Sequence, residues 1–123
     1  MDDFHASQPI FVQIRQRLIE MILRGSVGEG DALPSVRQVA ADFQLNPITV
    51  SKAYQELVDE QLVEKRRGLG MYVTDGARDA LLKSERERFL REEWPLLFAR
   101  LKRMDLDLDT LMKYTPPTNG ALS

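Results

Sequence analysis

The sequence has no cysteine, and histidine and tryptophan occur once each. Without cysteine there is no disulfide, thiolate metal site or thiol nucleophile, and a reducing compartment suits the chain. The single histidine, His5, stands in a terminal segment without a nucleophile beside it. Long apolar runs are also missing. Met21-Ile22-Leu23 is far too short to span a bilayer, and Met1-Asp2-Asp3 is not the start of a signal peptide, so a cytoplasmic protein without membrane contact is expected. Nor is there an excess of positive charge, since the formal net charge is -2. That balance speaks against indiscriminate phosphate binding but leaves room for a local basic field.

What is present is a chain of 123 residues, 43% hydrophobic, enough for one modest core and an appended helical segment. Phe11, Ile14, Leu18, Met21 and Ile22 recur at helical spacing. With Pro9 as first helical residue and Gly25 as stop they predict a helix over residues 9–25, with Arg15, Arg17, Glu20 and Arg24 facing water. Val27-Gly28-Glu29-Gly30-Asp31 is turn-rich and is expected to connect to a second helix. Ser35 with Gln38 has the form of a capping box, which predicts a helix over residues 35–43 with Val36, Val39, Ala40 and Phe43 inward. After Gln44-Leu45, Asn46 suits an N-cap and Pro47 a first helical position. In the third helix Val50, Ala53, Tyr54, Leu57 and Val58 form the inward stripe, leaving Pro47, Ile48, Thr49, Ser51 and Lys52 around its exposed start. Residues 62–67 and 71–74 are strand candidates around Gly68-Leu69-Gly70, which suits a tight hairpin.

The order helix, helix-turn-helix, hairpin predicts a winged helix-turn-helix over residues 8–75, mainly α with a small β-hairpin. Its third helix would present its start to base edges of double-stranded DNA. Arg37 near the start of the second helix suits a phosphate fork or a guanine edge; its structural alternative is an ion pair with Asp42 or Glu29. Asn46, Thr49, Ser51 and Lys52 surround a helix start whose free N–H groups favour anions. Arg67, nearest the hairpin tip, is expected to reach the minor groove or a phosphate, with Arg66 as a flanking contact.

Residues 76–114 change character. Leu90, Trp94, Leu97, Leu101, Met104, Leu108 and Leu111 form an apolar stripe at helical spacing, which either packs on its own domain or pairs with a second copy. Pairing is the expectation, making this a short helical dimerisation segment. Pro95 predicts a kink or break near residues 91–95. Asp107 with Thr110 is expected to cap a last short helix, and Asp105, Asp107 and Asp109 to form a solvated turn with a cap rather than a metal site. Residues 115–123 are expected to be a flexible tail. No motif joins a nucleophile to a base, so the chain is not expected to be an enzyme or to need a cofactor. The alternative to DNA binding is a winged-helix protein–protein interaction module.

Pro9-Ile10-Phe11-Val12-Gln13-Ile14, Gly30-Asp31-Ala32-Leu33-Pro34-Ser35-Val36-Arg37, Asn46-Pro47-Ile48-Thr49-Val50 with Ala53-Tyr54, and Arg66-Arg67-Gly68-Leu69-Gly70-Met71-Tyr72-Val73 together resemble the winged domain of GntR-type bacterial transcription regulators. Asn46-Pro47, where many members have Arg second, and the short C-terminal part resemble the YtrA subfamily. The resemblance implies a homodimeric repressor of a palindromic operator, with an ABC-type transporter encoded in its operon. It places DNA contacts on Arg37, Asn46, Pro47, Thr49, Ser51, Lys52, Arg67, Gly68 and Gly70. Pro47 would offer an apolar contact to a thymine methyl, with much of the specificity coming from DNA shape and the wing. The short tail leaves little room for a buried ligand cavity in each subunit, so the place for an unknown small-molecule effector is the dimer or domain interface, with Trp94 as a natural fluorescence reporter.

Overall fold

A computed structural model describes residues 7–116; His5, Met1-Asp2-Asp3 and most of the expected tail, residues 117–123, lie outside the described residues. Helices α1 (Ile10–Arg24), α2 (Val36–Phe43) and α3 (Pro47–Asp59) are followed by strands β1 (Val63–Arg66) and β2 (Gly70–Val73). Then come α4 (Ala77–Arg88), a π-helical segment (Phe89–Glu93), α5 (Trp94–Arg103) and α6 (Leu108–Met112). The chain is mainly α-helical with one antiparallel hairpin, and it divides into a unit ending at Ser84 and another beginning at Glu85.

The first unit is built around α3, whose Val50, Ala53, Tyr54 and Leu57 are fully buried. Ile14, Leu18, Ile19 and Ile22 of α1 close one side, and Val39 and Ala40 of α2 another. Gly25 ends α1 at φ 80°, in the left-handed region where glycine carries no Cβ penalty. Pro9 is the cap of α1 rather than its first helical residue, its carbonyl accepting the Val12 and Gln13 amides at 3.2 and 3.3 Å. Arg15 and Arg17, expected to face water, are half-buried. Arg15 holds Glu60 at 2.7 Å and reaches Glu56 at 3.5 Å, fastening α1 to the far end of α3, and the Arg17 guanidinium lies 5.3 Å from the centre of the Phe43 ring.

The connection expected over residues 27–31 leads into a segment, residues 30–33, that adds a short third pairing to the hairpin. Ala32 bridges Tyr72, Leu33 N–H donates to the Met71 carbonyl at 2.8 Å, and Val73 N–H to that of Asp31 at 2.9 Å. The outer edge of β2 is thereby covered, which no local pattern in residues 27–31 signals. In the hairpin Val63 opposes Val73 and Arg66 opposes Gly70. Strand pairing therefore stops one residue earlier than expected, and Arg67 belongs to the turn. Ala77 and Leu81 of α4 join the same core, and Arg78 Nε donates to the Leu23 carbonyl at 3.0 Å.

In the second unit the helix is disturbed just before Pro95, as expected, but it is not broken. The helix widens instead: the Trp94 N–H bonds back to the Phe89 carbonyl, five residues away, and α5 starts with Pro95 in its first turn. Proline has no N–H for the regular ladder, and the π turn absorbs that loss before α5 begins. Of the expected stripe, Leu101 is buried, Trp94 and Leu111 are half-buried, and Leu90, Leu97, Met104 and Leu108 are exposed. Asp107 caps α6 as expected, accepting the Thr110 N–H at 2.8 Å, and that bond holds its carboxyl below the ordinary range. Trp94 and Phe98 stack at a tilt, 5.7 Å between ring centres, beside an open groove of about 560 Å³ that Lys102 and Leu108 also line.

Candidate nucleic-acid interface

Two helix starts and one hairpin tip carry the candidate residues, and the three differ in chemistry. At α2, Ser35 Oγ accepts the Gln38 N–H at 3.0 Å. The reciprocal half of the capping box does not form, because the Gln38 side chain turns forward to Asp42 Oδ1 at 2.8 Å. That bond also occupies Asp42, one of the two acids that offered Arg37 an ion pair. The other, Glu29, accepts the Arg78 N–H at 3.3 Å. Arg37 is exposed and has no ion pair among the described residues. The Val36 and Arg37 amides, ahead of the first helical bond, have no acceptor there either, so this start offers two N–H donors beside a guanidinium.

At α3, Asn46 Oδ1 accepts the Ile48 N–H at 2.9 Å, and Pro47 has no N–H. Only the Thr49 amide remains of the donors that would make this start an anion site. The tip is thus mostly apolar, with Pro47 and Ile48 exposed, Ser51 exposed and Thr49 half-buried. Lys52 lies 3.9 Å over the Phe11 ring, so its ammonium is steered by a cation–π contact with α1.

The hairpin separates two arginines that look equivalent in sequence. Arg66 Nε is bound to Glu64 Oε2 at 2.9 Å, and its guanidinium lies 4.1 Å over the Tyr72 ring. Arg67, in the turn, is exposed and without an ion pair among the described residues, as is Lys65. Gly68 at φ 76° and Gly70 at φ 121° hold the turn in conformations that side chains disfavour. Three acids of this unit face arginines, Glu56 and Glu60 on Arg15 and Glu64 on Arg66, while Arg37, Lys65 and Arg67 keep their charge available.

Residues 11–73 match the bacterial regulatory proteins of the gntR family. The chain belongs to the GntR family. Members of the GntR family are DNA-binding transcription regulators, not enzymes. The chain is 43% identical over 83 residues to the HTH-type transcriptional repressor YtrA of Bacillus subtilis (strain 168); the match covers 68% of this chain and 64% of that one. This chain therefore spans about two-thirds of that relative's length. A solved transcriptional regulator from Oenococcus oeni is similar in fold with a TM-score of 0.69, at 26% identity over 92% of each chain. The GntR-family transcription factor YtrA from Sulfolobus acidocaldarius is similar with a TM-score of 0.53 and 27% identity, over 93% of this chain and 90% of that one. No helix among the described residues is long and apolar enough to cross a membrane.

Proposed function

We propose that this GntR-family chain is a repressor that binds a palindromic operator as a C2 homodimer. Arg37 and the free amides of α2 would take phosphate, α3 would lie in the major groove, and Arg67 with Gly68 and Gly70 would enter the minor groove. The observation that carries this reading is the set of exposed cations without an ion pair among the described residues, Arg37, Lys65 and Arg67, at the start of α2 and the hairpin, while Glu64 beside them on β1 is paired with Arg66. Asn46, Thr49, Ser51 and Lys52 would then complete the contact around the start of α3, with Pro47 against the base edges. Arg66, held by Glu64, would contribute least.

Dimerisation is assigned to the second unit because its described residues leave a row of large apolar side chains exposed. Leu90, Leu97, Met104 and Leu108 are exposed along with Phe98, and Leu101 alone is buried among the described residues of this unit. A second copy presenting the same stripe would cover it and set two recognition helices about one DNA turn apart, roughly 34 to 36 Å. The groove beside Trp94 is the place in this unit for a small-molecule effector, and a transporter operon is the regulated unit suggested by the resemblance to YtrA-type members. The test is a gel-shift series on genomic fragments selected by the purified protein. Wild type should shift them as a dimer, and Arg37→Ala and Arg67→Ala should each weaken the shift without unfolding. Normal affinity in both variants refutes this DNA face. Retention of a protein rather than DNA supports the interaction-module alternative.

A further inference from the structure

In the first unit, two large hydrophobic side chains are exposed among the described residues, Ile48 at 78% and Leu69 at 70%. All the others, from Ile10 to Leu81, are buried or half-buried. The two exceptions stand at the tip of α3 and the tip of the hairpin, where a winged helix meets DNA. Ile48 has no local reason to be there, since a β-branched residue is a poorer helix former than the alanine or glutamate that an exposed first turn accepts.

The surroundings of Ile48 define what it can recognise. Its own N–H is closed by Asn46 Oδ1, and Pro47 before it has no N–H. At Pro47 and Ile48 the edge of α3 therefore presents no free backbone donor, and the Ile48 side chain offers neither a donor nor an acceptor, so what it can recognise is an apolar group. The C5-methyl of thymine is the apolar group that an unmodified base pair shows in the major groove. From this we infer that Ile48 is a specificity-determining residue that packs on the C5-methyl of one thymine in each half-site. The inference rests on α3 being the major-groove helix.

Full-length protein is first used to select bound duplexes from a random library. Each thymine of a selected duplex is then replaced singly by deoxyuridine, which removes the methyl and leaves Watson–Crick pairing intact. For wild type, one thymine per half-site should lose about fourfold in affinity on replacement, the worth of one buried methyl, and the symmetric double replacement about 15-fold. Ile48→Ala should bind the parent duplex more weakly and be indifferent to that same replacement, while Ile48→Val keeps the sensitivity. Because Ile48 is exposed, both variants should retain the wild-type circular dichroism and melting temperature. Wild-type binding unaffected by every deoxyuridine, or Ile48→Ala with the sensitivity of wild type, overturns the role of Ile48 alone. Failure of wild type to enrich any duplex overturns the DNA-binding reading, and this inference with it.

Discussion

Tyr54, fully buried in the middle of α3, donates its hydroxyl hydrogen to the backbone carbonyl of Pro34, the residue just before the Ser35 cap of α2. The bond ties the second helix of the helix-turn-helix to the segment that starts the first, across 20 residues of chain. Tyr54→Phe keeps the ring and removes the donor, leaving a half-buried carbonyl unpaired. The expected cost is about 1 kcal/mol, seen as a lower urea midpoint with an unchanged slope.

The same burial pushes the Tyr54 phenol above its ordinary value of 10.0. The native state then keeps a proton that the unfolded chain gives up, so the contribution of Tyr54 is fully present below about pH 10 and declines as pH rises beyond it. Urea unfolding between pH 8 and 11 should show wild type losing stability more steeply at the alkaline end than Tyr54→Phe. Parallel curves would contradict a buried neutral phenol.

Arg66 and Arg67 should behave differently despite being neighbours. Arg66→Ala removes a cation already matched by Glu64, and operator affinity should change little. Arg67→Ala removes a free one, so affinity should fall and the slope of log K against log salt should flatten by about one unit. Equal losses in the two variants would mean that Glu64 releases Arg66 on DNA.

The Asn46 cap separates stability from binding. Asn46→Ala leaves the Ile48 amide without its acceptor and should cost about 1 kcal/mol in denaturant unfolding. Asn46→Asp preserves the acceptor and the stability, but places a negative charge at the DNA face and should weaken a gel shift. A fully active Asn46→Asp protein would remove this helix start from the interface.

Leu97 is 40% exposed in the isolated chain, so Leu97→Glu should leave the fold intact. If the proposed dimer forms through this stripe, Leu97→Glu should sediment as a monomer where wild type sediments as a dimer, and affinity for the selected fragments should fall with it. A variant that remains dimeric would move the dimer contact away from this stripe.

Much of this protein is legible along the chain because its signals are local. Ser35 with Gln38, Asn46 with Pro47, Asp107 with Thr110, and Gly68 with Gly70 act within four residues, and the resulting caps and turn bound α2, α3, α6 and the hairpin. Even there, the Gln38 side chain donates to Asp42 instead of accepting from the Ser35 amide, two partners that residue spacing cannot rank. The π turn before Pro95 shows the same limit: proline announces a disturbance, but backbone geometry decides how it is absorbed.

The amino-acid sequence by itself determined the starts of α2, α3 and α6, the inward stripe of α3, and the family to which the chain belongs, because capping and periodicity are properties of near neighbours. Only the tertiary structure decided which charges are free and which apolar side chains stay outside. Arg15 finds Glu60 across 45 residues, Lys52 lies over Phe11, and Ala32 pairs with Tyr72. These contacts depend on the packing of α1, α3 and the hairpin around Val50 and Tyr54. That packing occupies some cations, leaves Arg37 and Arg67 free, and turns Ile48 outward, since the inward positions of α3 are already filled.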